Sequence, residues 1–106
     1  MTIAQQSDPT LNALRAHARR LVAERQWVAA RVDQATWNLA AAEHLARRWP
    51  GTLRAEFDEE QAAGARAYLE QRQRELQDHD AAIATAQLAV AARASERTTT
   101  QETETC

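Results

Sequence analysis

Apart from Gly64, the only strong interruption in this chain is the segment Trp49-Pro50-Gly51-Thr52, which lies near its middle. The 106 residues contain 25 alanines but only 2 glycines and 2 prolines. Alanine has the highest helix propensity, whereas glycine and proline are the strongest helix breakers. A sheet-rich fold is therefore nearly excluded, and we predict an all-α protein with two long helices that meet at this segment.

The central segment can end one helix and start the next. Pro50 cannot continue an incoming helix, and Gly51 can adopt the left-handed conformation that closes a helix. Thr52 is a good N-cap for the helix that follows. We predict helices over residues 9–49 and 53–93, joined by a turn made of these three residues. Because the connection is so short, the two helices must run antiparallel.

The two ends of the chain differ from its middle. Asp8 followed by Pro9 predicts an N-cap with proline at the first helical position. Residues 95–106 are polar, with little apolar surface to bury. We therefore expect a helical hairpin over residues 9–94, with disorder in residues 1–8 and in the polar tail.

Apolar residues recur at alternating spacings of three and four along both predicted helices, as in a coiled coil. Many of these positions hold alanine, and each small side chain removes little apolar area from water. A single hairpin of this kind is expected to be only marginally stable. The larger residues of the predicted hairpin core are Leu14, Leu21, Val28, Val32, Leu39, Phe57, Leu69, Leu76 and Ile83.

A second stripe on the first helix lies away from that seam. Trp27 and Trp37 share it with Ala23, Ala30 and Ala41 at helical spacing. One neighbouring helix covers only one face, and two exposed tryptophans would leave a large apolar patch. We therefore predict an interaction face that pairs two hairpins into a four-helix bundle, as a homodimer or a heterodimer. Two alternatives stay open: the second helix shields one of the tryptophans, or both are partly exposed.

The charge distribution argues against a polyanionic partner. The net charge is −2, and all 13 basic residues are arginine. The first helix carries a net positive charge and the second a net negative charge, as expected of helices that lie against each other. Nucleic-acid binding is therefore not expected. Membrane insertion is not expected either, because no window of ~18 residues is free of charge.

Residues with catalytic or metal-binding chemistry are few and scattered. His17, His44 and His79 are far apart in sequence, and both serines lie near predicted helix ends or termini. Glu75 and His79 have the spacing of a helical ion pair, and two ligands make a poor metal site. Cys106 is the single cysteine, so no internal disulfide can form. We expect a protein that is not an enzyme, with no catalytic residues, bound metal or cofactor.

The Trp-x-Gly motif formed by Trp49, Pro50 and Gly51, between two long helices and followed two turns later by Phe57, resembles that of a known family. The chain looks like the WXG family of small helical hairpins, the early secreted antigenic target type exported by type VII secretion systems. The resemblance covers most of residues 9–94 and is mainly architectural. It implies that Trp49 packs over the start of the second helix, that the hairpin forms a dimer, and that a secretion ATPase is a further partner.

The resemblance also bears on localisation. The N-terminus lacks the basic and apolar regions of a cleavable signal peptide, so we expect a cytoplasmic protein or one secreted without such a peptide. The family's usual export signal, tyrosine followed four residues later by an acid, is missing, because Tyr68 is followed at that spacing by Arg72. In the family a dimer partner can supply the signal. Two alternative functions use the same helical faces: an intracellular coiled-coil adaptor or chaperone, and a phage or plasmid structural protein.

Overall fold

The computed structural model describes the backbone of residues 8–105 and the side chains of residues 8–98. Two helices account for almost all of this range: α1 spans Pro9–Arg48 and α2 spans Leu53–Thr105. The described residues contain no strand. The prediction of an all-α helical hairpin is confirmed.

The start of α1 is capped by Asp8. Its Oδ1 accepts hydrogen bonds from the backbone N–H groups of Thr10 at 2.9 Å and Leu11 at 3.2 Å. Its carbonyl oxygen accepts the N–H of Asn12 at 2.8 Å. Because the first turn of a helix leaves its N–H groups without intrahelical acceptors, these bonds fix the point at which α1 begins. That point is Pro9, the first residue of the predicted helix.

The turn between the helices has the chemistry that the sequence indicates. Gly51 has a φ of +77°, in the left-handed region that favours glycine. The Thr52 hydroxyl accepts the N–H of Ala55 at 3.1 Å and donates to the carbonyl oxygen of Trp49 at 2.7 Å. Thr52 is therefore both the N-cap of α2 and a clamp on the end of α1. Trp49 itself lies just outside α1, which ends one residue earlier than predicted.

The end of α2 differs from the prediction. The helix does not stop at residue 93 but continues through the predicted tail to Thr105. No glycine or proline interrupts it after Gly64, and the Thr98 hydroxyl bonds the carbonyl oxygen of Ala94 one turn earlier at 3.1 Å. Low apolar content alone therefore does not end a helix. Residues 1–7 and Cys106, to which we also assigned disorder, lie outside the described residues.

The core of the hairpin is made of small side chains. Among the described residues no large side chain is fully buried. The buried apolar residues are Leu11, Ala18, Ala35, Ala55, Ala62 and Ala86. Around them, eight of the nine predicted core residues are partly covered: Leu14, Leu21, Val28, Val32, Leu39, Leu69, Leu76 and Ile83.

Phe57 is the exception, and its assignment to the core is wrong. Its side chain is 59% exposed. The buried residues of α2 near the turn are Ala55, Asp58 and Ala62, so Phe57 falls between the two columns that face α1. Position in the spacing of three and four therefore decides which side chains are buried here. It buries the carboxylate of Asp58 and leaves the aromatic ring of Phe57 exposed.

The chain divides into two compact units, each of which contains a piece of both helices. One unit contains the described residues up to Glu24 and from Asp80 onward. Here the Asp8 carboxylate, only 7% exposed, accepts a 2.7 Å bond from Nε of Arg93 and lies 3.8 Å from Nε of Arg97. The hydrogen bond from Arg93 holds the pKa of Asp8 below its usual 3.8, and the N–H groups of the first turn lower it further.

The other unit is formed by Arg25–His79 and contains the turn. The apolar residues that are buried in it are Ala35, Ala55 and Ala62. An ion pair joins the two helices here, from Nη2 of Arg66 to Oε2 of Glu43 at 3.5 Å. At this distance and exposure the pair contributes little to stability.

Candidate functional site

One entire face of α1 is left uncovered by α2. Eleven residues recur along it at alternating spacings of three and four, and every one is exposed. We call this set the rear face of α1. Its members are Ala13, Ala16, Arg20, Ala23, Trp27, Ala30, Gln34, Trp37, Ala41, His44 and Arg48.

The predicted interaction stripe lies within this rear face. Trp27 is 67% exposed and Trp37 is 75% exposed. Ala23, Ala30 and Ala41 are exposed as well. Of the alternatives that the sequence left open, shielding of a tryptophan by α2 is therefore not what the structure shows. Both indole rings face outward from the hairpin.

Helical geometry explains why the rear face is uncovered. Ala35, on the seam that faces α2, is only 1% exposed, and Trp37 follows it by two residues. Two residues rotate the side chain by ~200° around a helix of 3.6 residues per turn. The seam and the rear face therefore lie on opposite sides of α1, and one packed helix can cover only one of them.

Polar groups on and beside the rear face are either paired locally or have no protein partner. Gln34 donates to Asn38 at 3.0 Å, and Arg20 lies 3.5 Å from the ring nitrogen of His17. Within the described residues, Glu24 and Arg31 have no ion-pair partner. The rear face thus combines an apolar centre with charges available at its edge. The sequence stripe missed Arg20 and Gln34, although the same spacing of three and four leads to both.

The turn presents a second, smaller exposed area. The Trp49 ring is 51% exposed, and the guanidinium carbon of Arg48 lies 5.5 Å from the ring centre. A shallow cavity beside it is lined by Trp49, Thr52 and Arg54. Leu53, which the sequence did not single out, is largely exposed next to this cavity. The motif Trp49-Pro50-Gly51 therefore forms a turn whose aromatic ring is only half covered.

The seam side of α2 carries polar side chains whose pairing is incomplete. Asp58 is buried, its Oδ2 lacks a hydrogen bond, and Nε of Arg54 lies 3.7 Å from it. Arg72 donates to Glu75 at 2.7 Å and stacks 4.6 Å from the Tyr68 ring, while its Nε is buried without a partner. Unsatisfied buried polar groups are costly, so these residues weaken the hairpin core.

Neither a metal cluster nor a membrane span was found in the part of the chain that the structure describes. No group of three or more His, Cys, Asp or Glu side chains there could hold a metal ion. No helix there is both long enough and apolar enough to cross a bilayer. In comparisons with known proteins, no family model, curated protein or solved structure matches the chain.

Proposed function

We propose that this chain is a non-enzymatic helical-hairpin protein that acts by pairing with another helical hairpin through the rear face of α1. The observation that carries the proposal is the exposure of Trp27 and Trp37 on one continuous face. A monomer with this surface would present a contiguous apolar patch to water, which is typical of a protein interaction site. Tryptophan is also enriched among the residues that dominate binding energy at protein interfaces.

The composition of the core supports the same conclusion. The buried apolar residues of the seam are alanines except for Leu11, and Asp58 and Arg72 carry unsatisfied polar atoms there. Small domains with little buried apolar area often need oligomerisation to become stable. Covering two tryptophans would add the apolar burial that the hairpin lacks. Pairing therefore serves both folding and function.

The proposed biological role follows the resemblance to WXG-type hairpins. In this role the protein is a type VII secretion substrate, or the partner of one, and a secretion ATPase recognises the folded pair without any catalytic step. The support is local: Trp49, Pro50 and Gly51 form the turn between two long helices, and the half-exposed Trp49 ring is accessible to a second protein.

Sedimentation equilibrium tests the pairing. The wild-type chain, alone or mixed with a hairpin encoded by a neighbouring gene, should form a dimer, and the double variant Trp27→Ala/Trp37→Ala should remain monomeric. Leu88→Ala is the matched control, because Leu88 is a large exposed apolar residue on α2. It should leave the association unchanged. A cooperative wild-type monomer that pairs with neither itself nor that hairpin would contradict the proposal.

The export role is tested by Trp49→Phe in a host with a type VII system. Replacing one large ring by another keeps most of the packing, at a cost of ~1.5 kcal/mol or less. The variant should fold and pair but reach the culture medium poorly, because the surface around Trp49 has changed. Normal export of the folded variant, or no export of the wild-type chain, would leave the adaptor role as the better explanation.

A further inference from the structure

We infer that the partner on the rear face of α1 is a second copy of this chain, bound antiparallel about a two-fold axis that crosses α1 between Val28 and Ala29. The inference rests on the proposed function, since it names the occupant of the same face. In this pairing Trp27 lies opposite the partner's Ala30, and Trp37 lies opposite the partner's Arg20. The sizes and charges of the residues, in their order along α1, indicate this pairing.

The rear face has the spacing that such a pairing needs. Side chains at alternating intervals of three and four form the layers of a two-helix interface, and in an antiparallel pair each layer joins residues equidistant from the axis. With the axis between Val28 and Ala29, both tryptophans meet a smaller or a complementary side chain. The overlap runs from Ala13 to His44, which is ~47 Å of helix at 1.5 Å per residue.

The central layers match large residues with small ones. Trp27 packs against the partner's Ala30, and Gln34 packs against the partner's Ala23. The next layer brings the Trp37 ring against the guanidinium of the partner's Arg20. The hairpin already uses this type of contact, with Arg48 at 5.5 Å from the Trp49 ring. Arginine over tryptophan is a favourable cation–π pair.

The flanking charges are complementary in the same register. Glu24 lies beside the partner's Arg31 and Arg31 beside the partner's Glu24, so the two-fold axis creates two ion pairs. Neither residue has an ion-pair partner among the described residues of a single chain. Pairing therefore gives both charges a partner without breaking an existing contact.

Neighbouring registers bring like charges together. Moving the axis half a heptad toward the C-terminus sets Arg31 against the partner's Arg31 and Asp33 against the partner's Asp33. A parallel arrangement stacks Arg20 on the partner's Arg20 inside the interface. Juxtaposed like charges across an interface are strongly unfavourable.

The other antiparallel neighbour needs closer comparison. Moving the axis half a heptad toward the N-terminus sets Glu24 against the partner's Glu24 and shortens the overlap. It forms two attractions of its own, one between Arg19 of each chain and the partner's Asp33. It also separates Trp37 from Arg20. The register centred between Val28 and Ala29 is the one that keeps the full overlap, the ring contact and both ion pairs.

The area available is adequate for a specific pair. A buried aromatic side chain removes ~150–250 Å² from water, so the exposed parts of four tryptophans contribute roughly 400–700 Å². The alanines and the arginine stems along the overlap supply the rest. Specific interfaces bury about 1,200 Å² or more in total. The tryptophans alone thus provide roughly a third to three fifths of that minimum.

Charge reversal in the full chain tests the register. Glu24→Arg and Arg31→Glu should each weaken self-association about tenfold or more in sedimentation equilibrium, because each converts two attractions into two repulsions. The double variant should return to within about threefold of wild type. The same reversals at the exposed Glu70 and Arg74 of α2 provide the control and should change association little. Failure of the double variant to recover would overturn the register.

Disulfide trapping gives a test that does not depend on stability. In a Cys106→Ser background, a mixture of Ala23→Cys and Gln34→Cys chains should form mainly the mixed disulfide on oxidation, and mass spectrometry identifies it. Dominant crosslinks between identical chains would overturn the antiparallel register. A wild-type chain that stays monomeric alone, yet binds another hairpin through Trp27 and Trp37, would overturn self-pairing while leaving the proposed function intact.

Discussion

The two faces of α1 follow the same spacing rule but differ in what covers them. The seam places Ala18 and Ala35 against α2 and buries both, whereas the rear face places Trp27 and Trp37 outward. The two tryptophans of α1, its largest side chains, are thus on the uncovered side. In a self-sufficient hairpin the reverse would hold, because large residues stabilise most when buried. The hairpin alone therefore leaves two large apolar rings on its surface, and this is the observation behind the proposed pairing.

Placing the same charge on each face should produce the largest difference in stability between variants of the two faces. Ala35→Asp introduces a carboxylate at a position that is 1% exposed and should destabilise the hairpin by ~3 kcal/mol or more, enough to abolish folding. Ala30→Asp, on the rear face, should cost only ~0.7 kcal/mol from helix propensity at concentrations where the chain is monomeric. Thermal unfolding monitored by circular dichroism measures both. Equal losses would mean that the two faces are covered alike.

Replacing each glycine by alanine separates the effect of backbone conformation on stability from the effect of coverage by another helix. Gly51→Ala should destabilise by ~1 kcal/mol or more, because alanine is strained at a φ of +77°. Gly64→Ala should stabilise by ~0.5–1 kcal/mol, since a Cβ there meets nothing within 4 Å and the residue lies inside α2. Urea unfolding of both variants gives the signs. Destabilisation by Gly64→Ala would show that this exposed position is covered by a partner.

Acidification should produce the smallest effect, at the charged end of the seam. The pKa of Asp8 is lowered by Arg93, so its contribution to stability is complete above pH 3.8 and is lost as the pH falls through the lower pKa of the folded state. Asp8→Asn keeps an N-cap acceptor but removes the charge. The difference in stability between wild type and this variant should therefore shrink below about pH 4. A difference that stays constant down to pH 2 would indicate that capping alone accounts for the role of Asp8.

Local chemistry made the helix starts and the turn predictable. Asp8, Gly51 and Thr52 each act through their own side chain or backbone, so neighbouring residues along the chain suffice to identify them. The end of α2 was not predictable from composition, because a polar segment without a breaker can remain helical. Phe57 was assigned to the core because its ring is large and apolar, although its position along α2 lies off the seam. The register that buries Asp58 one position later was already present in the spacing.

The candidate site was predictable in outline only. The exposure of Trp27 and Trp37 could be predicted because one neighbouring helix covers only one face of α1. The structure shows this exposure directly. Arg20, Glu24 and Arg31 carry no signal as single residues, since arginine and glutamate are ordinary on a helix surface. They enter the proposed pairing only when the position of each residue around α1 is known. The proposed partner and the register of the proposed pairing therefore rest on the positions of these residues around the helix, which composition does not reveal.

The alanine seam has a mechanical consequence. Small, similar side chains interlock less than large ones, so the buried alanines resist a shift of these helix ends by one heptad less than the turn and the partly covered leucines and valines do. Such a shift would move the Arg93 guanidinium ~10 Å along the axis, away from the Asp8 carboxylate that it now contacts at 2.7 Å. The ion pair therefore opposes such a shift at these helix ends. It favours the observed alignment, an effect separate from its contribution to total stability.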